Sequence, residues 1–478
     1  MKKFLSVLFI LLTLICVITI TSCDLQSSQS TTTTSDLNNL EEKPNKAPDC
    51  FEFSLNEDGE SYSLTGIADC VDKEVDIPDT YNGKPITNIA EDAFVFNDTI
   101  TSVTIPNTVT NIERHAFFSC SALITITIPA SVTNIGEFAF ADCVSIENID
   151  VDENNQYYKS MDGNLYTKNG ETLIQYAIGK SEELFVVPDT VQYIYDYALM
   201  LSKSLKNVII PSSVKSIGFS ALQQCERLEN IEVDENNQHY KSIDGNLYNF
   251  DGTVLIQYAI GKKNESFIVP DFVTNIEYAA FWECDNLKTV EISNSVTSIG
   301  DSAFVNCVSL KNITIPNSVT YIGENAFCGC KSLESIVIPD GVLKIHLATF
   351  QYCSSLESVV LPESLTYIDA YAFLDCTSIK SIIIPDSVEI ISAAAFENCQ
   401  SLTNVIIGSG IMNIGDHAFK GCTSLTSITL KTTSDWFYMD FPNSTDLVSI
   451  SVDLSNPQIV AKYLTNDYCD YQWIRIKY

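Results

Sequence analysis

Between residues 78 and 430 one short phrase of apolar and polar residues returns again and again. The stretch Leu310-Lys-Asn-Ile-Thr-Ile-Pro316 continues as Asn-Ser-Val319-Thr-Tyr-Ile322-Gly-Glu-Asn-Ala326-Phe327-Cys-Gly-Cys330. It recurs from Leu333, Leu356, Ile379 and Leu402, with Gly408 in the proline's place in the last copy. The anchors Pro270, Ser293, Pro316, Pro339, Pro362, Pro385 and Gly408 stand 23 residues apart. Pro78, Pro106, Pro129, Pro188 and Pro211 bring the anchors to twelve. Leu-x-x-Ile-x-Ile sends alternate side chains to one face, as a strand does, and the proline, lacking an N–H, ends the strand. Val-x-x-Ile and Ala-Phe then point back into the same core from a return segment. One unit of this size cannot bury its own face, so it must stack on its neighbours. The pattern predicts a repeat solenoid of about twelve coils. Its strands would form one parallel β-sheet on the concave side of a horseshoe, with short helical or irregular returns.

The departures from the 23-residue step carry information. Pro78 to Pro106 is 28, an enlarged turn around Asn82-Gly83-Lys84-Pro85. Pro129 to Pro188 and Pro211 to Pro270 are each 59, which leaves 36 extra residues in each, at about 152–187 and 234–269. The two insertions are near copies, VDENNQYYKSMDGNLYTKNGETLIQYAIGK from Val151 and VDENNQHYKSIDGNLYNFDGTVLIQYAIGK from Val233, offset by 82 residues. Both hold Asp-Gly (162–163 and 244–245), then Asn169-Gly170 or Asp251-Gly252, between β-prone Tyr, Leu and Ile. Each therefore predicts a small β-meander standing out from its coil.

The ends differ from the repeats. Lys2 and Lys3 precede an apolar run from Phe4 to Ile20, and Ile20-Thr21-Ser22-Cys23 resembles a bacterial lipobox. Residues 1–22 read as a signal peptide and Cys23 as the lipidated residue. The alternatives are an ordinary cleaved signal and a retained anchor helix. Residues 23–49 are a Ser/Thr-rich tether with almost nothing to bury, a coil spanning roughly 28 Å. Residues 50–77 suit an N-terminal cap, 78–430 the solenoid, and 431–478, with Trp436, Phe437, Phe441 and Trp473, a packed C-terminal cap. Against 61 acidic residues stand 27 basic ones, a net charge of −34. Nucleic acid and anionic lipid are poor partners for such a body. The excess reads first as solubility, and second as a preference for cationic partners or divalent ions.

The phrase IPxSVTxIGxxAFxxCxSLxxIxIP, over roughly residues 60–430, resembles the BspA-like, or Treponema-type, leucine-rich repeat proteins of bacteria. The Tyr-x-Ser-x-Asp-Gly-x-Leu-Tyr inserts resemble a segment common in that family. The resemblance implies a secreted or lipid-anchored protein on the extracellular face of the cell envelope. It also implies adhesion to host matrix proteins or other cell surfaces, and no intrinsic catalysis.

The remaining chemistry agrees with a non-enzyme. Cys120, Cys143, Cys225, Cys284, Cys307, Cys330, Cys353, Cys376, Cys399 and Cys422 share one repeat position, which Asn97 and Ser202 fill elsewhere. Thiols stacked about 4.8 Å apart with parallel Cβ vectors suit neither a disulfide nor a tetrahedral metal site. They read as a buried structural ladder. Bridges involving Cys50, Cys70, Cys328 or Cys469 are left open by the sequence. His115 and His417 share the variable position before Ala-Phe and should face solvent. HExxH, GxSxG, P-loop and dinucleotide motifs are absent. Asp150, Asp152, Glu153 and Asn154 lack the glycine and closing glutamate of a calcium loop. They read as an acidic turn, with a weak calcium site as the lesser alternative, so no metal and no cofactor are expected. On the strands, the outward position holds Val337, Val360, Ile383 and Ile406 in four consecutive coils. An apolar patch of that kind ringed by polar residues marks an interaction surface, unless it only reflects β-propensity in a dense sheet. The sequence thus points to a surface protein binding a protein ligand. The second reading is a structural or self-associating envelope protein with no dedicated ligand.

Overall fold

A computed structural model describes residues 50–67, 73–439, 448–450 and 453–476. The expected signal peptide, Cys23, the tether, Cys70 and Phe441 lie outside the described residues. The chain winds as a parallel β-solenoid. Fifteen short strands, from Glu74–Asp76 to Ser427–Leu430, form a principal ladder in five hydrogen-bonded sections. Every pair within a section is parallel and in register, so Val337 lies beside Val360 and Ile383 beside Ile406. On the return, two-residue strands such as Tyr367–Ile368 and Ile390–Ile391 build a second parallel ladder. Inward residues of both ladders are buried, Ile382, Ile384 and Ile391 among them. Period-two alternation on one side and Val-x-x-Ile on the other thus close one core.

The expected returns are irregular rather than helical. Among the described residues the only α-helix, Pro457–Lys462, follows the last coil. Outside the two inserts, each return instead carries two residues of left-handed backbone four apart, such as Tyr371 (φ 58°) and Asp375 (φ 58°). A non-glycine residue there costs about 1–2 kcal/mol. Stacking offsets this with a third set of coil-to-coil bonds: the N–H groups of Tyr371, Phe373 and Asp375 donate to Ala393, Ala395 and Glu397 carbonyls at 3.2, 2.8 and 2.9 Å. Beneath these turns Phe281, Phe304, Phe327, Phe350, Phe373, Phe396 and Phe419 form a stack of near-parallel rings, with successive centroids 4.6 to 5.4 Å apart.

The inserts are not outstanding meanders. The strands are there: Tyr158–Met161 and Asn164–Thr167 pair antiparallel, as do Asn164–Thr167 and Thr172–Gln175. The third strand, however, joins the second ladder in parallel beside Tyr193–Ile194, and Leu165, Tyr166, Leu173 and Tyr176 are core residues. Asn148–Val151 just before it belongs to the principal ladder. Each insertion is therefore a coil in its own right, built on 36 residues instead of 23. With Asn148–Val151, Asn230–Val233 and Ser427–Leu430 added, twelve proline-type anchors become fifteen strands.

An insert interrupts the ladders, and its own side chains repair the break. Ile149 N–H donates to Gly163 O at 2.9 Å, and Ile135 N–H to the Tyr158 hydroxyl at 2.9 Å. Asn155, fully buried, donates from Nδ2 to Pro129 O (2.8 Å) and Val132 O (2.9 Å) while its Oδ1 accepts from the N–H groups of Tyr157 and Tyr158. Asn237 repeats this on Pro211, Val214, His239 and Tyr240.

Both ends are covered. Phe51–Leu55 pairs antiparallel with Tyr62–Ile67, which runs parallel to Lys84–Ile89. Cys50 is disulfide-bonded, and the ten ladder cysteines and Cys469 are free. After the last coil, Gln472–Arg475 adds antiparallel to Asn413–Ile414, Trp436–Met439 adds to it, and Trp473 is fully buried. No helix of the described residues is long and apolar enough to cross a membrane.

Candidate interaction surface

The outward side chains of the principal ladder change character along the solenoid. Val337, Val360, Ile383 and Ile406 are 60%, 51%, 62% and 37% exposed. Exposed Thr314 and Thr429 bound the strip at its two ends. Alternation fixes the geometry: Ile336, Ile382 and Val405 turn inward, so their neighbours must turn out. Beside the strip runs a polar row of Ser335, Ser358, Ser381 and Asn404, and past the strand ends lie the exposed carboxylates of Asp340, Glu363 and Asp386. Beyond the polar row, Lys311 meets Glu334 at 3.1 Å and Lys380 meets Glu357 at 2.5 Å, each pair bridging two adjacent coils. Elsewhere on the ladder Val186 and Ile268 are exposed, while Ile209 is half-buried.

All ten ladder cysteines are buried and free. In nine, the thiol also donates to the main-chain carbonyl 26 residues back: Cys353 Sγ to Phe327 O at 3.2 Å, Cys376 Sγ to Phe350 O at 3.0 Å. The position thus asks for a small donor as well as a small volume. Burial pushes the Cys376 and Cys399 thiols up, away from the reactive thiolate.

His115 departs from its expected exposure. Its side chain is only 15% exposed, packs on Phe118 and Phe138, and has Asp92 at 3.4 Å. Burial lowers its pKa. His417 is more open and bonds Asp470 across the C-terminal cap at 2.8 Å. The Asp92 and Glu91 carboxylates come together with His115 at the surface, but Arg114 already stands 3.5 Å from Glu91. In the acidic turn, Asp152 Oδ1 accepts from Asn154 N–H at 2.8 Å, which closes the turn on itself. The buried neighbour Asn155 was invisible as a structural keystone, since an Asn in a polar run carries the composition of any turn.

Stacked parallel coils with an inward apolar phrase and an outward variable face define a repeat scaffold, a class that presents surface rather than a catalytic constellation. The model of the BspA type leucine rich repeat region matches in six copies, over residues 73–166, 177–252, 257–380 and 343–469. The chain belongs to the BspA-type leucine-rich repeat family. Among solved structures it is similar to a leucine-rich repeat protein from Eubacterium ventriosum, at 24% identity and a TM-score of 0.53, over 78% of this chain and 93% of that one. It is similar also to a leucine rich cell surface protein from Faecalibacterium prausnitzii (26% identity, TM-score 0.47, 85% and 97% covered). A leucine-rich repeat protein from Bacteroides ovatus matches with 26% identity, TM-score 0.42, and 80% and 94% covered. No curated protein matches.

Proposed function

We propose that this protein is an adhesin-like binding protein of the bacterial surface, held there by lipid on Cys23. In this reading it recognises a protein ligand, of the host matrix or of another cell, through the strip Val337, Val360, Ile383 and Ile406. The observation that carries it is the exposure of four β-branched side chains in consecutive coils, where the adjoining coils expose threonine. Fully burying one such side chain is worth about 1.5–3 kcal/mol, and roughly half of that remains to be gained here. The strip alone therefore supplies on the order of 3–6 kcal/mol, at the low end of what association costs. The partner must also engage the flanking serine row and the carboxylates of Asp340, Glu363 and Asp386, which calls for an extended apolar segment with basic flanks. A non-enzymatic scaffold agrees with the family and with the lack of catalytic motifs in the sequence.

The test is binding of purified residues 47–478 to immobilised matrix proteins, to whole cells and to itself. Val360→Lys with Ile383→Lys should abolish capture, because both charges would be desolvated at the centre of the interface, while thermal unfolding stays unchanged at these outward positions. Unaltered capture by the double variant would remove the strip from the function. Self-association of the native chain, lost in the variant, would favour the structural reading instead.

A further inference from the structure

The first insert opens a cleft whose two carboxylates are replaced by rings in its own duplicate. In regular coils the turns are bonded one to the next: His115 N–H donates to Glu137 O at 3.2 Å and Tyr197 N–H to Phe219 O at 2.9 Å. Between the coil of Phe138 and the coil of Tyr197 the insert's own coil intervenes, and its Tyr176 N–H takes Ala198 O at 2.9 Å. A cavity of about 270 Å³ remains on the second-ladder side, lined chiefly by Ile135, Glu137, Phe138, Gln175, Tyr195 and Asp196.

The lining has a one-sided chemistry. Gln175 donates its amide hydrogens to Tyr176 O (2.9 Å) and Ala198 O (3.2 Å). The Tyr195 hydroxyl is the only other side-chain donor in the lining. Against these stand two carboxylates, Glu137 and Asp196, and the rings of Phe138 and Tyr195. A hydroxylated ligand needs donors and acceptors in similar number. An ammonium or guanidinium group brings donors only and is drawn to carboxylates and to ring faces alike. Phe138 is already packed by Arg114 (5.9 Å), His115 (5.6 Å) and Tyr197 (5.0 Å), so the ring that remains for a ligand cation is that of exposed Tyr195. Ligand pockets begin at about 300 Å³, so this one is sized for a head group rather than a whole ligand. The net charge of −34 draws cations to the molecule from a distance.

The duplicate supplies an internal comparison. Its frame is kept: Tyr240 accepts from Ile217 N–H at 3.0 Å, and Gln257 donates to Tyr258 O (2.9 Å) and Ala280 O (3.4 Å). At the 82-residue offset, however, Phe219 and Tyr278 replace Glu137 and Asp196, with ring centroids 4.5 Å apart, while Ser220 and Glu277 replace Phe138 and Tyr195. The backbone therefore does not require carboxylates at the positions of Glu137 and Asp196.

We propose that the cleft between Glu137 and Asp196 binds the head group of an organic cation, an ammonium or guanidinium. It would be carried either by a lysine or arginine side chain of a partner protein or by a free polyamine. This site is separate from the strip on the principal ladder, and Val360→Lys with Ile383→Lys should leave it intact.

Calorimetric titration of the purified protein with Nα-acetyl-arginine amide, its neutral citrulline counterpart and spermidine tests the assignment. Binding of at least one cation, and not of the citrulline compound, is expected. Glu137→Gln with Asp196→Asn should weaken it by at least about tenfold, since Asn keeps an acceptor for Phe219 N–H, which Asp196 Oδ1 now takes at 2.7 Å. Glu137→Phe with Asp196→Tyr, the pair of the duplicate, should abolish it. Glu153→Gln with Glu235→Gln removes two charges elsewhere and should change nothing. Tighter binding of spermidine assigns the cleft to free polyamines, and tighter binding of the arginine compound to a side chain. Equal binding of citrulline, no binding of either cation, or cation binding by the Gln/Asn variant equal to that by the control would overturn the proposal.

Discussion

At the scale of single residues, the cysteine ladder shows how a repeat selects a side chain. Cysteine fits because the thiol is small, largely apolar and able to donate weakly to a carbonyl that already accepts one main-chain bond. Ser202 shows the alternative: its hydroxyl turns to Leu199 O in its own coil at 2.6 Å instead of reaching across. Cys353→Ala removes one buried sulfur and one S–H···O bond, and should cost about 1–2 kcal/mol in urea unfolding. Cys353→Ser should recover part of that by keeping the donor. In the native state the ten ladder thiols should resist a maleimide that labels them all in denaturant. Fast native labelling of Cys330, Cys353 or Cys376 in a peptide map would contradict their enclosure.

At the scale of elements, the strands were legible and their number was not. Ile-x-Ile-Pro announces a strand by period two and a stop; Asn148–Val151 and Asn230–Val233 show the alternation, with Asp150 and Glu232 outward, but are followed by aspartate, so the proline-type anchors alone number the coils too low. The left-handed turn residues gave no consistent sign, because Asp92, Asn325 and Gly329 suit that backbone while Phe138, Leu201 and Tyr371 at the same repeat positions do not and are held there by stacking. The turns of the inserts were readable from Asp-Gly and Asn-Gly; the destination of Thr172–Gln175 was not, since its partner Tyr193–Ile194 belongs to the next coil. Of the candidate strip, the outward positions followed from alternation alone. The cleft did not, because it exists only where an insert separates two turns. Asn155 and Asn237 are the residues on which an insert depends. Asn155→Ala or Asn237→Ala takes the amide donor from Val132 O or Val214 O, leaves Pro129 O or Pro211 O only its 3.3 Å main-chain bond, and removes the acceptor of two main-chain N–H groups, so it should cost roughly 2–4 kcal/mol. Chemical denaturation measures this, and a loss below about 0.5 kcal/mol, the level of an ordinary surface change, would show that water or a backbone shift replaces the amide.

At the scale of the whole molecule, a solenoid's stability is a sum over coils and the interfaces between them, so it can part where an interface is weak. Both inserts break the principal ladder, between Asn148–Val151 and Leu184–Val186 and between Asn230–Val233 and Ser266–Ile268. The core crosses the first break: Leu165, Tyr166, Leu173 and Tyr176 belong to the same apolar cluster as the coils on both sides. At the second it divides. Val233, Leu247 and Ala259 close one cluster, while Tyr248, Leu255 and Tyr258 open the other. Unfolding should accordingly occur in two steps with the boundary inside residues 233–258. The chain offers a convenient reporter, because its three tryptophans, Trp282, Trp436 and Trp473, all lie beyond that boundary. Tryptophan fluorescence should follow the C-terminal part alone, whereas far-ultraviolet circular dichroism follows both, and the two urea curves should separate. Hydrogen exchange should show one cooperative block ending near Val233 and another beginning near Tyr248. Coincident curves and a single exchange block would mean that the backbone bonds across the second insert couple the halves more strongly than their divided core suggests.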